Sequence, residues 1–395
     1  MKILCANVGS TSFKYEILDL DHSISIVKGN IERIGNHPSY FTHLGSSGAP
    51  VTGEIDVPDH SEAIQYAIAQ IGDLSGLSGV GFKTVFGKGI WRSALIDDTV
   101  IQALIDYIPL APLHNPAYVA SIRAFQDLLP KMPLVAVFET WFHQTIPDYA
   151  YDFGVPRPWV EKYAVRRYGF HGASHRWISE RVPRLITRSS EGLRIISCHL
   201  GGSSSLCAIK SGQSIDTSMG ISTQYGVIQS TRTGDLDPFA VLYVMDQEQW
   251  DIKEITRQLM EESGLKGVSG TSGDLRDVEA AANAGNDNAR LAMETFFYGV
   301  KKQIGAYIAV LGGLDVIAFT GGIGEKSVTA RAQICLDLDW LGIELSAKKN
   351  QHHMGEGEIS ADSSRVKVLV IPANEEIIVA RETANVVKKR ITNAS

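Results

Sequence analysis

Three short runs of glycine and hydroxyl residues carry chemistry suited to a phosphate. Gly9-Ser10-Thr11-Ser12, Gly201-Gly202-Ser203-Ser204-Ser205 and Gly321-Gly322-Ile323-Gly324 each follow an apolar, strand-like stretch. Such turns aim backbone N–H groups and hydroxyls at one point, and glycine lets a phosphate approach the main chain closely. Lys14 adds a positive charge beside the first. One such turn would carry little weight, because Gly/Ser-rich turns usually only reverse the chain. Three of them at strand ends of an α/β pattern point to a phosphate-bearing ligand. No GxxxxGK[ST] run is present, and GGIGEKS lacks the GxGxxG spacing. Neither a P-loop nor a dinucleotide fingerprint therefore accounts for them.

The elements that must position these turns repeat along the chain. Ile3–Leu18 reads as a buried strand, a polar residue (Asn7), a glycine turn and a second strand; Ile195–Ile209 reads the same way, with His199 in place of Asn7. Helix-like stretches (Ser61–Ile71, Asp98–Ile108, Ala117–Leu129, Asn283–Leu311, Glu375–Lys389) alternate with strand-like runs (Leu134–Phe138, Val316–Phe319, Val366–Ile371), which predicts an α/β architecture. The Gly/Pro/aromatic stretch Tyr151–Val160 reads as a connector. Two related domains, 1–150 and 151–376, are expected, with the ligand in a groove between them. A closing helix over about 377–395 is expected to pack back on the first domain.

A chain of 395 residues with 44% hydrophobic and 21% charged residues has the size of two folded domains. Net charge is -7 and no Lys/Arg block is present, so no nucleic-acid partner is expected. The start, MKILCANVGS, turns polar at Asn7, and no apolar run is long enough to span a bilayer. A cytoplasmic protein without a membrane partner is the resulting expectation. The four cysteines form no CxxC pair and read as free thiols.

These residues also carry a family resemblance. NVGSTSFKY, LAPLHNP, FETWFHQTIP, RRYGFHGASH, DTSMG, TRTGDLDP, SGTSGDLRD, FTGGIGE and IPANEE occur in this order. The chain thereby resembles the acetate kinase family of the sugar kinase and actin superfamily. The resemblance implies duplicated actin-like (ribonuclease H-like) domains with mixed sheets and flanking helices. It implies reversible phosphoryl transfer between ATP and the carboxylate of a short acid such as acetate or propionate, giving an acyl phosphate and ADP. It further implies Mg2+ as cofactor and a homodimer. Asn7 and Glu375 resemble the metal-holding pair. Ser10, Ser12, Lys14, His114, His199, Gly201, Gly202, Ser203, Asp274, Arg276, Gly322, Ile323 and Gly324 resemble nucleotide and phosphate contacts. Glu139, His171 and Arg232 resemble the catalytic set. Lys83, Val85, Leu113, Phe170 and Thr223 stand where the acid would bind. An always-charged guanidinium and an imidazole donor suit a transition state whose charge spreads over equatorial oxygens.

Six positions depart from the family pattern. Glu139 stands for an aspartate, Lys83 for an arginine, Phe82 and Phe86 for histidines, Gly202 for an asparagine and Thr223 for a proline. Lysine keeps the charge but loses the bidentate fork. From the residues alone, two other readings stay open: a nucleotide-binding regulatory homologue with weak or no kinase activity, and a kinase with a changed phosphoryl donor or acid.

Overall fold

The computed structural model describes residues 1–45, 48–112 and 114–394. The chain divides into two compact units: 1–141 with 374–395, and 142–373.

In the first unit, eight strands form one mixed sheet: β1 (Lys2–Val8), β2 (Ser12–Asp19), β3 (Ile24–Glu32), β4 (Ser39–Leu44), β5 (Val51–Ile55), β6 (Leu77–Thr84), β7 (Ala94–Leu95) and β8 (Leu134–Phe138). Their order is β5-β4-β3-β2-β1-β6-β8-β7. Strands β1, β2 and β3 pair antiparallel, whereas β6 joins β1, and β8 joins β6, in parallel. The hairpin closes at Gly9, whose N–H donates to the Ser12 carbonyl at 2.8 Å. The helix Glu375–Ala394 packs on β6, where Gly79 and Gly81 leave no side chain between strand and helix. A Cβ at Gly81 would lie 2.1 Å from the Thr383 hydroxyl oxygen, so the close approach requires glycine there.

The second unit repeats that plan with β9 (Arg194–His199), β10 (Ser205–Lys210), β11 (Gln213–Thr217), β12 (Val316–Thr320), β13 (Gly357–Glu358) and β14 (Lys367–Val370), ordered β11-β10-β9-β12-β14-β13. Here too the first three strands pair antiparallel, while β12 joins β9, and β14 joins β12, in parallel. In both sheets the spatial order of the five central strands is third, second, first, fourth, fifth. This is the duplicated actin-like, ribonuclease H-like α/β fold. The second core is built on the helix Asp287–Leu311, whose Ala292, Phe296, Val300 and Ile304 are fully buried with Ile196, Leu206 and Ile317.

The break between units falls at Trp141/Phe142 and not near residue 150. Residues 142–151 belong with the second unit because His143 and Thr145 bond to Ser214 on β11. At the far end the break falls at Ala373/Asn374 and not after residue 376. The long helix begins at Asp287, with the Asn286 side chain accepting from the Ala289 N–H as N-cap; the segment Leu275–Asn283 before it is a separate helix. Among the described residues, no helix is long and apolar enough to cross a membrane.

Candidate active site

In the first unit, strand register gathers the polar residues. Asn7 on β1 lies opposite Lys14 on β2 and Lys83 on β6, so the three side chains share one face of the sheet. Lys83 is the last residue but one of β6, and Glu139 follows β8, fixed by its N–H donating to the Thr84 carbonyl at 2.8 Å. The Lys83 ammonium forms an ion pair with Glu375, the first residue of the helix Glu375–Ala394. Burial alone would depress the Lys83 pKa, but the carboxylates of Glu375 and Glu139 outweigh it and hold the ammonium above its ordinary value. Thus the structure joins Lys83, expected at the acid, to Glu375, expected at a metal. Asn7, Glu139 and Glu375 offer only hard oxygen donors, the type magnesium takes. Among the described residues no three His, Cys, Asp or Glu side chains form a metal cage. This donor set would suit a hard divalent cation that takes its remaining ligands from outside the protein, not a protein-only site.

The glycine turn of this unit is braced by a residue that the sequence did not single out. The ring of His60, at Nε2, donates to the Gly9 carbonyl at 2.8 Å. Ser10 and Lys14 are exposed and Ser12 is half-buried. His114 precedes the helix Asn115–Leu128, and Val85 is buried just beyond β6. Leu113 lies outside the described residues.

The second unit assembles its polar residues on the turn between β9 and β10. Arg232 Nη1 donates to Ser203 Oγ at 3.1 Å and to Gln229 Oε1 at 3.2 Å, with the Thr223 carbonyl at 3.5 Å. His171 Nδ1 lies 2.8 Å from Ser205 Oγ, two residues along the same segment. The His199 ring stacks on His171 with centroids 4.3 Å apart, and its Nδ1 lies 2.8 Å from Ser174 Oγ. His171 itself has φ 56, a left-handed conformation uncommon outside glycine and frequent at functional positions. The carbonyl before it, on buried Phe170, accepts from His143 Nε2 at 3.0 Å. Gln229 was invisible to motif reasoning, yet its buried amide joins Ser203, Ser204, Arg232 and Thr223. Only Gly264, φ +65, fits beneath this turn: a Cβ there would sit 2.2 Å from the Gln229 carbonyl.

Beside this turn opens a cavity of about 610 Å3 within the second unit. Of the residues expected at a nucleotide, Gly201, Gly202, Asp274, Arg276, Gly322 and Ile323 line it. Glu279, Lys326 and Thr329 also line it and were not anticipated; Thr329 donates to Glu279 at 2.7 Å. Gly322 faces open space, whereas Gly324 is buried against Phe319 and Cys198 and is not part of the lining. The third glycine run is not a loop but the first turn of the helix Gly321–Lys326. Its N–H groups at Ile323 and Gly324 are taken by the Leu200 carbonyl, at 2.8 and 3.1 Å, so they are not phosphate donors. Asp274 caps the helix Leu275–Asn283 by accepting from the Arg276 N–H, and the Arg276 guanidinium beside it holds its carboxyl down to about 2.

Known proteins share this whole arrangement of elements. Acetate kinases of Halothermothrix orenii and Acetivibrio thermocellus are 45% and 43% identical, each over 98% of this chain and 100% of the relative. The crystal structure of Porphyromonas gingivalis acetate kinase superposes with a TM-score of 0.88 at 37% identity, covering 98% of this chain and 99% of that one. That of a propionate kinase from Francisella tularensis gives 0.90 at 34% identity, over 97% and 99%. A sequence model of the Acetokinase family matches residues 2–381, and the chain belongs to that family.

Proposed function

We propose that the protein transfers a phosphoryl group reversibly between ATP and a short carboxylic acid such as acetate or propionate, with Mg2+. The observation that carries this reading is the attachment of His171 and Arg232 to one serine turn beside a glycine-walled cavity. In the forward direction a carboxylate oxygen attacks the γ-phosphorus, the bond to the β-phosphate oxygen breaks, and ADP leaves; no proton need move. The protein's part is positioning and charge neutralisation. Arg232 offers a planar fork to the equatorial oxygens and His171 offers an N–H. Gly201, Gly202, Ser203, Asp274, Arg276, Gly322 and Ile323 hold the nucleotide; Ser10, Ser12, Lys14, His114 and His199 serve the phosphates. Lys83, bracketed by Glu375 and Glu139, is the cation offered to the acid, and Val85, Phe170 and Thr223 bound its short tail. Asn7 and Glu375 would hold Mg2+, which when bound offsets phosphate charge. A homodimer is part of this proposal. The helix Pro238–Glu248 supports it, having no buried residue and exposing Phe239, Leu242 and Tyr243.

The test is a panel of short carboxylates assayed with MgATP for acyl phosphate and ADP, and with MgADP in reverse. Turnover is expected on acetate or propionate. Absence of turnover on every acid in both directions would overturn the reading.

A further inference from the structure

Four histidines, His143, His171, His175 and His199, cluster in the second unit, each beside a serine hydroxyl. Ser205 Oγ lies 2.8 Å from both His171 Nδ1 and His175 Nε2, and His175 Nδ1 lies 2.8 Å from Ser197 Oγ. Ser205, His175 and Ser197 are fully buried. We propose that Ser197, His175 and Ser205 are positioning residues, a directed hydrogen-bond chain that fixes the proton of His171 on Nε2. The inference rests on the reading that His171 meets the transferred phosphoryl group.

The argument is one of donor counting. A serine hydroxyl has one hydrogen and two lone pairs, so Ser205 donates to at most one of its two imidazole partners; they are its only partners among the described residues, so using that buried hydrogen means donating to one and accepting from the other. With neutral rings, only two arrangements satisfy every link and also use the Ser205 hydrogen; the third, in which Ser205 accepts from both rings, leaves that buried hydrogen unused and likewise puts a lone pair on His171 Nε2. In one, Ser197 donates to His175 Nδ1, His175 Nε2–H donates to Ser205, and Ser205 donates to His171 Nδ1; His171 then carries its hydrogen on Nε2. In the other, each bond is reversed and His171 Nε2 becomes a lone pair. Phosphoryl oxygens only accept, so the first arrangement presents them with a donor and the second with a repulsion. Aligned bonds of this kind also reinforce one another in a low-dielectric interior.

The surroundings keep the chain neutral. Burial, followed by the neighbouring His143 and His199, pushes the His175 pKa well below its ordinary value. Burial lowers His143 to about 4 despite its bond to the Phe170 carbonyl. A carbonyl only accepts, so His143 carries its hydrogen on Nε2, and its Nδ1 accepts from Ser214 Oγ at 2.9 Å. His143 thus pins the backbone entering His171 while Ser205 sets its ring. The groups that face His171 include His175 from the helix Gly172–Leu185, the stacked His199 from β9 and Ser205 from β10; Arg232 reaches the same turn through Ser203.

Ser205→Ala and Ser205→Thr, read by steady-state kinetics and by 15N NMR of the His171 ring in the presence of MgATP, decide the matter. Loss of an outer-shell orienting partner typically costs about 10- to 100-fold. Ser205→Ala is expected to lower kcat by about that factor while nucleotide KM moves less than about twofold, and to spread the His171 proton over both nitrogens. Ser205→Thr, which keeps the hydroxyl, restores both readouts. His175→Gln, whose amide keeps a donor toward Ser205, should outperform His175→Leu. Wild-type kcat with an unchanged Nε2–H signal in Ser205→Ala would overturn the proposal. His171→Ala separates the two failures: if it stays fully active, the role of His171 itself falls; if it is inactive while Ser205→Ala is normal, only the positioning chain falls.

Discussion

The two units handle buried polarity in opposite ways. In the first, Lys83 stands between Glu375 and Glu139, with the Tyr118 hydroxyl in the same field, and the interior is kept tolerable by pairing full charges. In the second, His143, His171, His175 and His199 each bond a serine hydroxyl, with Ser205 bridging His171 and His175, and the charge on the β9–β10 turn is the guanidinium of Arg232, solvated by Ser203, Gln229 and the Thr223 carbonyl. The difference suits a transfer reaction. One unit holds a carboxylate-rich group able to share a divalent cation. The other offers directional donors and a guanidinium that makes no ion pair in any contact described above, so its charge remains for phosphoryl oxygens.

The largest effect should come from breaking the first arrangement. Lys83→Met leaves the buried carboxylates uncompensated, and removing one partner of a buried pair costs about 3–5 kcal/mol. Urea unfolding should show that loss, and the Lys83→Met/Glu375→Gln double variant should recover most of it. If the single variant is as stable as wild type, the ion pair contributes nothing and the contrast between units is false. The corresponding break in the second unit is kinetic. Arg232→Ala should cut kcat by about 10²–10³-fold, with Arg232→Lys recovering only part because it lacks the planar fork. Stability should change little, because the guanidinium is half-buried and its partners keep one another.

Acidity should separate the units next. His143 has a folded pKa of about 4 against an ordinary 6.5, so between those values the unfolded chain takes up a proton that the folded one refuses. Stability is therefore intact above about pH 6.5 and declines as pH falls toward 4, by about 3 kcal/mol at the end of the window. His175 shifts in the same direction. Lys83 behaves oppositely. Its pKa is raised, so its contribution is complete below the unfolded value of about 10.4 and disappears only as strong alkali passes the folded value. Denaturant midpoints at pH 7 and 5 measure the first effect, and His143→Asn should flatten the slope.

How much of this was readable from the residues depends on sequence distance. The two hairpins were visible because each is a local pattern: apolar alternation broken by Gly9 or by Gly201–Ser205. Leu134–Phe138 was readable as a strand for the same reason. The pairing of Lys83 with Glu375 spans 292 positions, and no local signal announces it. Gln229 is one glutamine among several, made central only when the chain brings it against Ser203 and Arg232. His175 lay within a recognised string but four residues beyond His171; its role depends on Ser205 from β10. The third glycine run misled for a physical reason. Its N–H groups resembled a phosphate cradle in sequence, but the neighbouring β9 end supplies a carbonyl that uses two of them.

The smallest effect tests whether the cavity wall of the second unit is organised by local caps or by charge. Asp274 does both: its side chain accepts from the Arg276 N–H at 2.9 Å, capping the helix Leu275–Asn283, and it pairs with the exposed Arg276 guanidinium. Asp274→Ala removes cap and pair together, and loss of an N-cap costs about 1 kcal/mol. Asp274→Asn keeps the cap and removes only the ion pair, which is exposed on the Arg276 side and worth about 0–1 kcal/mol. Asn should therefore retain stability close to wild type while Ala does not, and nucleotide KM should follow the same order if helix position shapes the site. Equal KM increases in both variants would instead assign the effect to the carboxylate's charge. The wall would then resemble the first unit's use of paired ions more than its own unit's neutral network.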